Sequence, residues 1–267
     1  MSLKSPILHA WDKLVDVYVA SQKEEFHPDY KKDPEQFRML MRSEIRIERE
    51  MKKYFKDLSI QRIPGLIDWG KYSLNKKAND YDFLTSEWDG ENLILKVLLS
   101  KALSDALTAG GMSGEDELGI NIGWTDKFPP AIKFLNNYSL KLAKGLNDVT
   151  KERVKEVIKQ SILDGDEITI ASQKIADVID DPVRARMISR TESVRAFSEG
   201  RLTVGREIGA EYKGWSATLK RCELCSYLDG QSVKIDDGFK DLQGAEIKSA
   251  PRHPNCRCLV RLYMKKP

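Results

Sequence analysis

All four cysteines of this 267-residue chain fall within 37 residues, at Cys222, Cys225, Cys256 and Cys258, and the first 221 residues hold none. Cys222-x-x-Cys225 has the tight spacing whose backbone turn brings two thiolates to one metal ion. After 27 intervening residues comes His253-Pro254-Asn255-Cys256-Arg257-Cys258, which supplies three further donors. The start of the chain does not read as a secretion signal, because Asp12, Lys13 and Asp16 interrupt what would have to be its apolar core. A reducing cytoplasm is therefore expected, and there a clustered set of this kind reads as metal binding before it reads as disulfides. Five donors compete for four places: Cys222, Cys225, His253 and Cys256 are the preferred set, with Cys258 as the alternative ligand. Soft thiolates with one imidazole suit zinc. The competing reading is reduced cysteines buried as small apolar side chains. A closed four-ligand site leaves no position for a reactive water, so zinc here would be structural, stapling a segment too small to hold itself.

The rest of the chain is predicted to be mainly helical. Apolar residues recur at helical spacing over residues 7–19. Asp33-Pro34-Glu35-Gln36 then reads as a capping box opening a helix that runs to Leu58 and ends by Pro64-Gly65. Residues 66–90 carry Trp69, Tyr72, Tyr81, Phe83 and Trp88 among polar residues; such interleaving can stack on bases, but a partly buried connector is the favoured reading. A helix over residues 93–109 is followed by Gly110-Gly111-Met112-Ser113-Gly114, which lacks the G-K-[ST] of a phosphate loop and is expected to be a flexible turn. Further helices are expected over 131–146, from a Val149-Thr150 staple and cap to Gly165, around Ile175 to Ile179, and over 182–208 behind Asp181. Beyond Gly209 short strands are expected at 211–218, 232–235 and 258–264. In the last, Cys258, Val260, Leu262 and Met264 would share the buried face. The fold class is thus α+β, a mainly helical body with a small C-terminal β-rich, zinc-stapled element. Its expected division is an N-terminal helical region over 1–128 and a second domain over 129–267, with helices to 209 and the β/zinc element from 210. The longest apolar run, Leu93 to Leu99, is broken by Lys96 and falls short of the roughly 20 residues of a membrane span.

The net charge of +3 is unevenly spread: residues 182–267 hold 17 Lys/Arg against 10 Asp/Glu (+7), and residues 1–181 hold 27 against 31 (−4). Arg257, Arg261, Lys265 and Lys266, with Arg252 close by, form a candidate surface for phosphates, binding by counterion release without reading bases. A solvated charged face is the plainer alternative. In the helix over 182–208, Arg190, Glu192 and Arg195 are expected to form a structural ion-pair network, Glu192 and Arg195 pairing at i, i+3. The other use of these residues would be a metal-independent nuclease or toxin-like enzyme with Glu192 as base, His253 as acid and an arginine as anion clamp. His253 cannot easily serve both as zinc ligand and as proton donor.

The order Arg190-Thr191-Glu192-x-x-Arg195, Gly200, Gly214-Trp215, Cys222-x-x-Cys225, Asp229-Gly230 and His253-Pro254-Asn255-Cys256-Arg257-Cys258 resembles the phage Mu protein F-like family of minor head (head morphogenesis) proteins. The similarity covers about residues 130–264, and the last motif is its most specific part. The resemblance implies a non-enzymatic structural protein of tailed-phage or prophage heads, made in the bacterial cytoplasm and carried in the virion head interior. It further implies association with the portal protein, contact with capsid or scaffold, and a part in head assembly and in handling packaged DNA, with no membrane partner.

Overall fold

The computed structural model describes residues 34–74 and 82–267. The helix expected over 7–19, the Asp33 cap, Tyr81, His9 and His27 lie outside them. The described residues form helices α1 (Pro34–Asp57), α2 (Ile63–Leu66), α3 (Trp69–Leu74), α4 (Trp88–Leu118), α5 (Pro129–Asp164), α6 (Ile168–Ile179) and α7 (Pro182–Ile208). Strand β1 (Tyr212–Ser216), helix α8 (Glu223–Leu228) and strands β2 (Ser232–Lys234), β3 (Phe239–Lys240), β4 (Glu246–Ile247) and β5 (Leu259–Tyr263) follow. The molecule is α+β with a helical body and a small C-terminal sheet region. The described residues form two compact units: one takes residues 34–48 with Ala102–Lys133 and Met187–Pro267, the other the described residues of 49–101 with Phe134–Arg186. Each unit is built from segments far apart in sequence.

The first unit packs Phe37, Leu40, Met41 and Ile47 of α1 with the later part of α4 and with α7, Phe37 and Phe197 meeting at 6.2 Å between ring centroids. Here the expected turn at Gly110–Gly114 is corrected: these residues lie inside α4. A Cβ on Gly110 would collide with the Phe197 carbonyl, and one on Gly200 with the Leu107 carbonyl. Glycine disfavours an isolated helix by about 1 kcal/mol relative to alanine. At these positions it is the residue that lets two backbones close on each other, and packing overrides the local preference. Arg201, buried between the same helices, reaches Ser113 and Glu117, and Glu117 Oε2 accepts the Leu262 N–H at 2.8 Å.

In that unit β1 is the central strand of an antiparallel sheet ordered β2-β1-β5, with Trp215 opposite Val260 and Gly214 opposite Arg261. The strands are shorter than expected, and the β3–β4 hairpin and α8 are additions. The alternation expected along the last strand holds at Cys258, Val260 and Leu262, which are buried, and fails at Leu259 and Met264. Leu259 is also buried, whereas Met264 is 41% exposed because it lies past the strand's pairing with β1.

The second unit contains a buried polar chain. The Tyr54 hydroxyl lies 3.0 Å from both Glu91 Oε2 and Asn147 Oδ1, and the Asn147 amide donates to Asn92 Oδ1 at 3.0 Å. Burial, with the Glu91 carboxylate beside it, pushes the Tyr54 phenol above its ordinary value. The two helices expected on either side of Val149-Thr150 are one, α5, because Thr150 caps nothing. Its hydroxyl donates back to the Leu146 carbonyl at 2.8 Å and accepts from Arg184 at 3.0 Å. Of the described aromatic residues of the connector, Tyr72, Phe83 and Trp88 are buried and Trp69 is half-buried: Trp88 Nε1 donates to the Leu66 carbonyl and the Tyr72 hydroxyl to the Asp166 carbonyl. After Asp57 the helical path continues through a π-helical turn at Leu58–Arg62 into α2, with Pro64 in its first turn, and ends at Leu66, next to the expected stop at Pro64-Gly65.

Candidate metal centre

Two limbs bring the donors together. In the first, the chain leaves β1 and the Asp229 carboxylate accepts the Ala217 N–H at 2.8 Å, closing the loop that carries the cysteine pair. Cys222 stands at the N-cap of α8 with its side chain not used as a cap, and Cys225 follows one turn later on the buried side. Gly230, at φ +79°, turns the chain back so that its N–H meets the Trp215 carbonyl at 3.0 Å.

The second limb is organised by Asp241, a buried carboxylate that accepts the Gln243 and Ala245 N–H groups and is gripped by Arg252 at 2.6 and 3.1 Å. Burial alone would raise its pKa, but the Arg252 hydrogen bond and the two backbone donors outweigh that and hold it below the ordinary carboxylate value. Asp241 thereby anchors Arg252, the residue next to His253. Asn255 adopts φ 61°, a left-handed conformation that asparagine tolerates, and its N–H donates to Thr191 Oγ1 at 3.0 Å. Thr191 of α7 thus holds the His253–Cys258 loop in place.

His253 Nε2 lies 3.2 Å from the sulfurs of both Cys222 and Cys225, and the Cys225 and Cys256 sulfurs are 3.7 Å apart. A tetrahedral zinc with bonds of about 2.3 Å to sulfur and about 2.0–2.1 Å to nitrogen has edges near ~3.8 Å (S–S) and ~3.5 Å (S–N). The donors therefore already stand close to the spacing such an ion requires. Cys222, Cys225 and His253 make one close trio, and Cys225, Cys256 and Cys258 make another. Cys225 belongs to both, and Cys258 is buried against the same sulfurs. His253 Nδ1 donates to the Pro254 carbonyl at 2.8 Å, which assigns the tautomer and leaves the Nε2 lone pair directed at the thiols. The hydrogen bond to Cys256, with burial, pushes the Cys225 thiol up. The donors line a cavity of about 120 Å³ that Arg190, Lys220 and Arg221 complete. Zinc, when bound, would supply a closed cross-link between the two limbs rather than a Lewis acid open to substrate.

The ion pairs around this centre form a structural frame. Arg257 is not on the phosphate-facing surface expected from the sequence: it is 7% exposed, and its guanidinium meets Glu44 at 2.8 Å beside the Met41 sulfur. An arginine between two metal-site cysteines is drawn inward with them, and a carboxylate inside is what makes that tolerable. Arg190 approaches the same Glu44 oxygen at 3.8 Å, while Glu192 and Arg195 pair along α7 at 3.3 Å. Glu44 was invisible from sequence, since no spacing on α1 points at a partner so far along the chain. Among the other cations, Arg261 is half-buried with Nε 3.3 Å from Ser216 Oγ, and Lys265 and Lys266 are exposed.

These motifs are thus one construction: α7, the cysteine pair and the His-Pro-Asn-Cys-Arg-Cys loop converge on a single centre. Residues 152–261 match the family model described as Phage Mu protein F like protein. The Mu F-like segment runs from within α5 through most of β5 and contains all five donors, Arg190, Thr191, Glu192 and Asp241. It lies inside the stretch, about 130–264, over which the motifs resemble that family. Neither the curated proteins nor the solved structures give a match to the chain.

Proposed function

We propose that this protein is a structural minor head protein of a tailed phage or prophage, seated with the portal in the head interior and acting in head assembly and in handling the packaged DNA. The observation that carries this reading is the family match across the segment in which the motif residues build one centre. Zinc held by Cys222, Cys225, His253 and Cys256, with Cys258 as alternative ligand, would staple that centre and leave it without catalytic work. The enzymatic alternative finds no support in the geometry: Glu192 is paired with Arg195, and both nitrogens of His253 are engaged, Nδ1 by a carbonyl and Nε2 by the thiols. The test is the protein content of purified phage heads, with co-purification of the co-expressed portal protein as its second arm. The expected result is a low-copy head component that follows the portal. Absence from purified heads would overturn the assignment, and so would nucleic-acid degradation by the wild type that Glu192→Gln abolishes.

A further inference from the structure

An open groove of about 810 Å³ lies in the second unit along α5 and α6. Its floor is Val149, Val157 and Val178, of which Val149 is 50% exposed, and the neighbouring Val183 at the start of α7 is 75% exposed. Val149 and Val157 stand two turns apart on one face of α5, with Asp148, Glu152 and Glu156 beside them; Asp177 and Asp181 edge the other side. Five carboxylates thus border the groove against one guanidinium, that of Arg153, which pairs with Asp181 at 3.5 Å. Lys151 and Lys155 approach Asp148 and Glu152 from along the helix at 3.6 and 3.4 Å, exposed pairs of the kind that contribute less than about 1 kcal/mol.

An apolar floor open to water with a rim of one sign is a surface that lacks its counterpart. The rim decides between occupants. A second copy meeting this face with its own would bring five carboxylates against five, and a nucleic-acid backbone would meet the same repulsion. The walls are helices with no free strand edge, so a partner cannot add itself as a strand; a helix laying its apolar face between two others is the mode that fits. We propose that this groove is a docking site for a basic amphipathic helix of a partner protein, its apolar residues on the three valines and its lysines or arginines over the carboxylate rim. The proposal rests on the second unit alone and does not depend on the head-protein reading.

The test uses the full chain and a fluorescent amphipathic helical peptide with leucines on one face and lysines on the other. Binding is followed by anisotropy and located by hydrogen exchange. Protection of residues 148–157 and 177–181 is expected, with affinity that falls as salt rises. Glu152→Lys combined with Glu156→Lys, both at exposed positions, should weaken binding about tenfold or more. Val149→Asp should weaken it while leaving the salt dependence in place. No detectable binding at low salt would overturn the proposal, as would protection elsewhere or equal binding of a peptide with glutamates in place of the lysines. Self-association of the wild type that Val149→Asp abolishes would assign the groove to a second copy instead.

Discussion

Glu44 is 1% exposed on its side chain and stands between Arg257 and Arg190, so one carboxylate answers two largely buried guanidinium groups. Removing one partner of such an arrangement leaves charge buried without its counter-ion, which costs about 3–5 kcal/mol. Glu44→Gln should therefore lower the midpoint of denaturant unfolding markedly, and Arg257→Gln should do the same, whereas Arg195→Gln, which removes a half-exposed guanidinium, should lower it less. Equal effects at the three positions would show that Glu44 is not the hub. Asp241 gives a pH dependence with a definite sign. Its folded-state pKa is depressed, so its contribution is present above the ordinary carboxylate value of 3.8 and is lost as pH falls below it. Thermal unfolding across acidic pH should show this loss in the wild type, and Asp241→Asn should flatten that part of the profile while lowering stability near neutrality.

Two elements owe their form to what touches them. Helices α4 and α7 each carry a glycine where they cross, because a methyl group on Gly110 of α4 would strike the Phe197 carbonyl and one on Gly200 of α7 the Leu107 carbonyl. Gly200→Ala should separate these helices at a cost of about 1–3 kcal/mol or more, since the obstacle is backbone and cannot rotate away. A substitution at Gly145, where a Cβ meets nothing within 4 Å, should be stabilising or neutral, and the pair is checked by thermal denaturation. The proposed zinc staple would act on the C-terminal element in the same sense. Its strands have two to five residues and cannot bury enough surface to hold themselves. Elemental analysis should find about one zinc per chain, and Cys222→Ser or chelation should admit protease after Gly209 while the helices stay folded. A metal-free protein with a protease-resistant C-terminus would refute the staple.

For the whole molecule, the charge of residues 182–267 remains the physical motive for weak, sequence-independent DNA binding, with fewer cations available than the count suggests. Of the five cations of the candidate phosphate surface, Arg257 is buried on Glu44 and Arg252 is held by Asp241, which leaves Lys265 and Lys266 exposed with half-buried Arg261. Replacing Arg261, Lys265 and Lys266 by Gln should weaken binding of every duplex alike and reduce the salt slope by roughly one unit for each phosphate no longer neutralised. Arg257→Gln should instead lower stability with the slope unchanged. Filter binding across a salt series separates the two, and a complex insensitive to salt would contradict the mechanism.

What the sequence by itself determined is what short-range chemistry governs. The Cys-x-x-Cys pair and the His-Pro-Asn-Cys-Arg-Cys loop announced a metal centre because donor type and spacing are local properties, and the pairing of Glu192 with Arg195 follows from helix geometry alone. The helical body and the run of short strands after Gly209 were legible for the same reason, through periodicity. Only the tertiary structure decided the rest. It placed Glu44 of α1 against Arg257 and Arg190, turned an arginine expected on a phosphate-binding surface inward, and made helix interiors of Gly110–Gly114 and of Val149-Thr150, which local rules read as a turn and a start. In each case the deciding contact joins residues distant in the chain, and a buried carboxylate or a close backbone outweighs the preference of about 1 kcal/mol that sequence spacing can register.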